Sequence, residues 1–173
     1  MKIRIKKGNH YPSPSMLFYF GLPKWVSGKK ETSMKRAFMF NESCLYDLKD
    51  VDQFDVNKLF GFSIGYHHKT SFRFGWRADL KTRTIEIVAY EYHDNVRQTT
   101  MPICKIELNT WVYFELNYSP EGQTEYVVID NKEIVLKNTV NIIKNSGLGY
   151  TLGLYFGGNE VAPQDIIVYR KKI

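Results

Sequence analysis

Apolar and polar residues alternate with a period of two along nearly the whole chain, and turn-forming residues interrupt the pattern about every ten positions. Lys2-Ile3-Arg4-Ile5-Lys6 puts two isoleucines on one face and three cations on the other. Phe60, Phe62, Ile64 and Tyr66 share a face, with Gly61, Ser63 and Gly65 opposite. Phe72, Phe74 and Trp76 alternate with Arg73, Gly75 and Arg77. Because successive strand side chains point to opposite faces, each such run can bury one side only. No segment keeps apolar residues at helical spacing for three turns. A chain of this kind must pair strands and close two apolar faces on each other.

Further strands are expected over Leu17 to Leu22, Met34 to Phe40, Ile85 to Tyr92, Ile103 to Leu108, Trp111 to Tyr118, Glu125 to Ile129, Glu133 to Leu136, Tyr150 to Phe156 and Asp165 to Arg170. Gly8 to Ser15, with its Gly, Asn and two prolines, reads as loop, and Ser27 to Glu31 as a polar turn. His93-Asp94-Asn95 and Asp130-Asn131 read as hairpin turns, since Asp and Asn tolerate left-handed backbone. Asp47 to Asn57 is the one acidic stretch, a loop or single helical turn. Ten to twelve short strands without repeats or linkers predict an all-β, single-domain antiparallel sandwich over residues 1–173. With 11 Phe, 12 Tyr and 3 Trp, and 43% hydrophobic residues overall, the chain can fill a core, which excludes disorder.

The net charge of +6 suggests a nucleic-acid partner until it is located. Lys2, Arg4, Lys6, Lys7, Arg170, Lys171 and Lys172 supply seven cations in two terminal segments that hold no acid. Removing those seven from the 24 Lys and Arg leaves 17 bases against 18 acids, a body with a net charge of −1. The excess is therefore a local basic edge. It either docks an acidic partner or protects an edge strand from aggregation. No aromatic RNA-reading motif accompanies it, so sequence-specific nucleic-acid recognition is not supported.

Cys44 and Cys104 are too few for a disulfide scaffold, and Cys104 alternates with Ile106 and Leu108 as a buried free thiol would. No apolar stretch of signal-peptide length follows the basic first residues, and none approaches a membrane span. An intracellular or virion-associated protein without membrane contact is the expectation.

The run Tyr150-Thr-Leu-Gly-Leu-Tyr-Phe-Gly-Gly-Asn-Glu-Val-Ala-Pro-Gln-Asp-Ile-Ile-Val-Tyr-Arg170 resembles the closing strands of concanavalin A-like lectin and glucanase domains. There a glycine-containing strand leads through a Gly/Asn/Pro loop into a last strand of the form Asp-Ile-x-Val-Tyr. The resemblance implies a jelly roll of two curved antiparallel sheets whose concave face often carries ligands. Glycosidases of this kind carry Glu-x-Asp-x-Glu, which sets three carboxylates on one sheet face; this chain has no such triplet. Glu86 and Glu91 lie five apart, hence on opposite faces, whereas a retaining pair needs its carboxyls about 5–5.5 Å apart. The Gln-Ile-His and Arg-Glu-Leu strings of alginate-lyase-like relatives are missing too. An enzyme is not expected, nor a cofactor.

The densest polar and aromatic stretch is Gly65 to Arg77. If its flanking strands form a hairpin, Ser63, His67, Arg73 and Arg77 face away from the phenylalanines, and Glu86 and Tyr90 join them. Rings stack on sugar faces and guanidinium donates in a fork, so His67, Arg73, Trp76, Arg77, Glu86, Tyr90 and Tyr92 form a candidate glycan site. The plainer alternative is an ion-pair ladder of Arg73, Arg77 and Glu86 on a solvent face. The adjacent His67 and His68 should point to opposite faces and not chelate a metal. Asp50, Asp52 and Asp55 match no EF-hand and read as a solvated loop. Ser63 completes a Gly-x-Ser-x-Gly string, but inside a β-strand, where that string carries no catalysis.

Two functions remain. One is a non-catalytic structural or interaction module of a larger assembly, such as a virion or bacteriophage component or a homo-oligomer, docking protein partners through the basic edge. The other is a lectin-like carbohydrate binder using the concave face, with a glycan hydrolase or lyase behind both.

Overall fold

The computed structural model describes residues 1–139, 147–171 and 173. Two antiparallel sheets enclose one aromatic core. The six-stranded sheet runs β1 (Lys2–Ile5), β13 (Ile166–Lys171), β3 (Thr32–Phe40), β9 (Val112–Tyr118), β10 (Gln123–Ile129), β11 (Glu133–Thr139). The facing sheet runs β2 (Trp25–Ser27), β12 (Leu148–Leu152), β4 (Asn57–Ser63), β5 (Ser71–Asp79), β6 (Thr84–His93), β7 (Val96–Arg97), with β8 (Met101–Ile106) also paired to β6. This is a jelly-roll sandwich, the expected fold class. Its first and last strands pair directly, Ile3 opposite Val168.

The period of two sets what is buried. Phe60, Phe62, Phe72, Phe74 and Trp76 from one sheet meet Phe38, Phe40, Phe114 and Tyr126 from the other, all at 1% exposure or less. Phe74 packs edge-on against Phe114 at 5.2 Å and Tyr126 at 5.0 Å, the geometry that ring quadrupoles favour. Every alternate residue of β4 to β6 consequently points away from the core, onto the outer face of the seven-stranded sheet. The hairpin turns fall where Asn and Asp announced them: Asp94 (φ 49°) and Asn95 (φ 67°) form the two-residue loop between β6 and β7.

Three local expectations are corrected. Leu17 to Leu22 is not a strand; α1 (Met16–Phe20) takes its place, because the Ser15 hydroxyl accepts from the Leu17 amide at 3.0 Å and Gly21, at φ 76°, closes the turn. Tyr66 leaves the phenylalanine face and is exposed, since β4 ends at Ser63. His67 and His68 sit in the turn after it, not in a strand, so their rings lie on one side, 4.5 Å apart. Both cysteines are free, Cys44 buried and Cys104 half-buried. Among the described residues no helix is long and apolar enough to cross a membrane.

Candidate functional site

The outer face of β4 to β6 is built around small residues. Gly61 lies opposite Arg73, and a Cβ there would fall 2.0 Å from the Phe72 carbonyl and 3.0 Å from Arg73 Cγ. Glycine at this position is what lets Arg73 lie flat across its neighbouring strand. A bulge between Lys58 and Phe60 adds Leu59 to β4, leaving Lys58 opposite Gly75 on the same outer face. Tyr90 stands opposite Arg73 on β6, and Tyr92 stands one row further along, opposite Ser71.

Lys58, Arg73, Tyr90 and Tyr92 line a cleft of about 410 Å³, within the range typical of small-ligand sites. His67, His68 and Arg97 also line it, as do Tyr11, Asp55, Tyr155 and Asn159. The loop before α1 folds over Tyr155: His10 stacks on that ring at 4.9 Å and 3°, and Tyr11 meets it edge-on at 5.0 Å. A wider depression of about 610 Å³ lies beside β9 and β10. Its charged pair is already satisfied, Glu125 bonding Lys137 at 3.0 Å and Asn117 at 3.1 Å.

The electrostatics of the cleft are one-sided. Arg73 is only 8% exposed. Its Nε has no hydrogen-bond partner, and its one side-chain bond is a long 3.4 Å contact to the Ser71 hydroxyl. Among the described residues it meets no carboxylate, and desolvation lowers its affinity for its own proton. Lys58 Nζ is 4.7 Å from the centre of the Tyr90 ring, with Arg73's guanidinium over the same ring at 5.7 Å. Burial first, then Arg73, lowers Lys58 to about 8. Burial also lowers His67 to about 4, and its Nδ1 is 2.8 Å from the Tyr150 hydroxyl. Burial and a hydrogen bond with Tyr92 push the Tyr90 phenol up to about 12, so it stays neutral. A buried guanidinium without a counter-ion is costly to a fold. The arrangement is suited to accept an anion between hydroxyl donors.

The sequence-expected residues separate into groups. His67, Arg73, Tyr90 and Tyr92 converge on the cleft. Arg77 and Glu86 share the sheet face four residue pairs away and bond each other, so the ion-pair reading holds for them and not for Arg73. At about a quarter exposed or less, that pair contributes about 1 kcal/mol. Glu86→Gln should lower thermal stability by that amount and leave ligand affinity unchanged, by melting and calorimetry. Trp76 is corrected: it is fully buried on the inner face, against Phe40 and Tyr46, and cannot touch a ligand. Glu91 faces inward, accepting from Tyr126 at 2.8 Å and Thr124 at 3.2 Å, opposite to Glu86 as its spacing requires.

The terminal cations share one edge, yet several are occupied. Arg4 pairs with Asp165, Arg170 lies 5.2 Å from the Phe20 ring, and Lys171 lies 4.2 Å from that of Trp111. Lys2, Lys6 and Lys7 are exposed, and Lys172 lies outside the described residues. Sequence reasoning missed Lys58, Asp55, Tyr11 and Arg97. Lys58 carried a usable signal: it is the only charge in Asn57–Ser63, a strand buried throughout.

No protein-family model matches the chain, and no curated protein sequence does. Solved structures do. An alginate lyase of Pseudomonas aeruginosa superposes with a TM-score of 0.58 at 12% identity, over 83% of this chain and 63% of the lyase. A marine PL7 alginate lyase from Zobellia galactanivorans gives 0.53 at 16%, over 87% and 64%. Galectin-Ib of Xenopus laevis is a looser likeness, 0.43 at 9%, over 87% and 100%. This chain thus spans less than two thirds of either lyase. The expectation of a virion or bacteriophage structural module is overturned. The sandwiches matched at TM-scores above 0.5 are alginate lyases, and the outer face holds a cleft in which buried Arg73 has no ion-pair partner among the described residues. The likeness is one of fold, to the concanavalin A-like jelly-roll sandwich.

Proposed function

We propose that the cleft binds an acidic polysaccharide in a lectin-like manner, taking a sugar carboxylate onto Arg73 and stacking sugar faces on Tyr11 and Tyr92. The observation that carries this reading is the buried Arg73 with its unpartnered Nε. Folding tolerates such a group where a ligand supplies the missing anion, and guanidinium matches carboxylate geometry in a way ammonium does not. The tyrosines provide flat, amphipathic surface at low entropic cost. Alginate lyases on the same fold act on a carboxylated polymer, which agrees with an acidic ligand here.

Alginate oligosaccharides should bind measurably by calorimetry at low ionic strength, and neutral glucan oligosaccharides of equal length should not. Equal binding of both would remove the role given to Arg73. Cleavage is the second reading, favoured by the neutral His67 held against the Tyr150 hydroxyl. A base and a hydroxyl donor of this kind are what β-elimination from a uronate needs. Appearance of unsaturated, ultraviolet-absorbing ends on incubation with alginate would establish it; intact oligosaccharide recovered after prolonged incubation leaves a binder.

A further inference from the structure

We propose that Lys58 is a second anchor for the ligand's anionic group, one that holds only while protonated, so the cleft grips an acidic glycan near neutral pH and releases it in mildly alkaline solution. This rests on the reading of the cleft as an acidic-glycan site. The placement of Lys58 carries it. The bulge in β4 aims the side chain onto the outer face, where it is 7% exposed. One of its three ammonium protons goes to the Gly157 carbonyl at 2.9 Å, leaving two for a ligand. Its ammonium and Arg73's guanidinium lie over the same Tyr90 ring, so one anion above that ring can meet both.

The charged and titratable neighbours leave Lys58 as the group that switches. Arg73 on β5 and Arg97 on β7 repel it as guanidinium cations. Tyr90 on β6 faces it as a neutral phenol, and Tyr155 presents its ring at 5.5 Å. His68, in the turn between β4 and β5, is itself lowered by burial and by Arg73, which disfavours its charged form. Asp55, before β4, is the one acid acting on Lys58 and favours its charge, but less than burial and Arg73 oppose it. The free lysine titrates at about 8. A bound anion raises that value, so binding takes up a proton above it, and affinity must fall as pH rises. Unfolding does not mimic this. The unfolded lysine keeps its proton to a higher pH than the folded one, so this group makes the free protein more stable as pH rises past about 8.

The test is titration calorimetry with an alginate tetrasaccharide at a pH of about 6.5, 8 and 9, in two buffers of different ionisation heat. Wild type should lose affinity about tenfold between a pH of about 6.5 and 9, with uptake of up to about one proton per ligand. Lys58→Arg should hold its affinity across the range, and Lys58→Met should bind weakly and without pH dependence. Wild-type binding that is flat in pH, or a Lys58→Arg variant that still weakens tenfold, overturns the role of Lys58 while leaving the glycan site standing. Absence of binding at a pH of about 6.5 is a different result and overturns the glycan site itself.

Discussion

An Arg73→Met variant should lose its ligand and melt no lower than wild type. Removing one partner of a desolvated charge pair costs about 2–5 kcal/mol of binding, or roughly thirtyfold to several thousandfold in affinity. The stability expectation runs the other way. Arg73 is 92% buried without a counter-ion among the described residues, and its Nε is unsatisfied. A methionine of similar length removes that charge and keeps most of the volume, a replacement that is often neutral or stabilising. Arg73→Lys should fall between, because an ammonium cannot make the fork. Calorimetry and thermal melting on the same preparations read both effects. Full affinity in Arg73→Met would sink the proposed site, and a large fall in melting temperature would show that Arg73 serves the fold instead.

Trp76→Ala should do the converse. The indole is fully buried between Phe40 at 5.3 Å and Tyr46 at 6.1 Å. Its removal leaves a cavity that costs about 3–5 kcal/mol, which for a chain of this size is a fall of about 6–20 °C in melting temperature. Trp76→Phe should cost less, because the indole Nε1 has no partner and its loss removes an unsatisfied buried donor. Ligand affinity per folded molecule should be unchanged in both. A specific loss of affinity in Trp76→Phe, at temperatures where the variant is folded, would restore Trp76 to the binding surface.

Trp76 also shows how far sequence reasoning reaches. The alternation Phe72, Phe74, Trp76 against Arg73, Gly75, Arg77 already assigned the indole to the apolar side, and its inclusion among ligand contacts went against that pattern. Arg73 and Arg77 have the same parity in one strand. Sequence therefore gave them one role, either ligand contact or ion-pair ladder. Pairing register separates them: Arg77 falls opposite Glu86 and Arg73 opposite Tyr90. A carboxylate opposite Arg77, and four residue pairs from Arg73, satisfies one guanidinium and leaves the other bare. The same holds for α1, where a short apolar run fits a strand as well as a helix until the Ser15 cap is seen.

What the sequence alone determined is the class of fold, the faces of β4 to β6 and most of the turns, because these follow from local alternation and from the backbone tolerance of Asp, Asn and Gly. It also reduced a charge of +6 to two terminal segments, which the pairing of β1 with β13 brings to one edge. The cleft belongs to the tertiary structure. Lys58 enters it through a bulge, Tyr11 and Tyr155 from loops nearly the whole chain apart, and Arg97 from a two-residue strand. Their common property, positive charge withdrawn from water with too few acids to answer it, depends on burial and distance. Those quantities are fixed only when the sheets have closed.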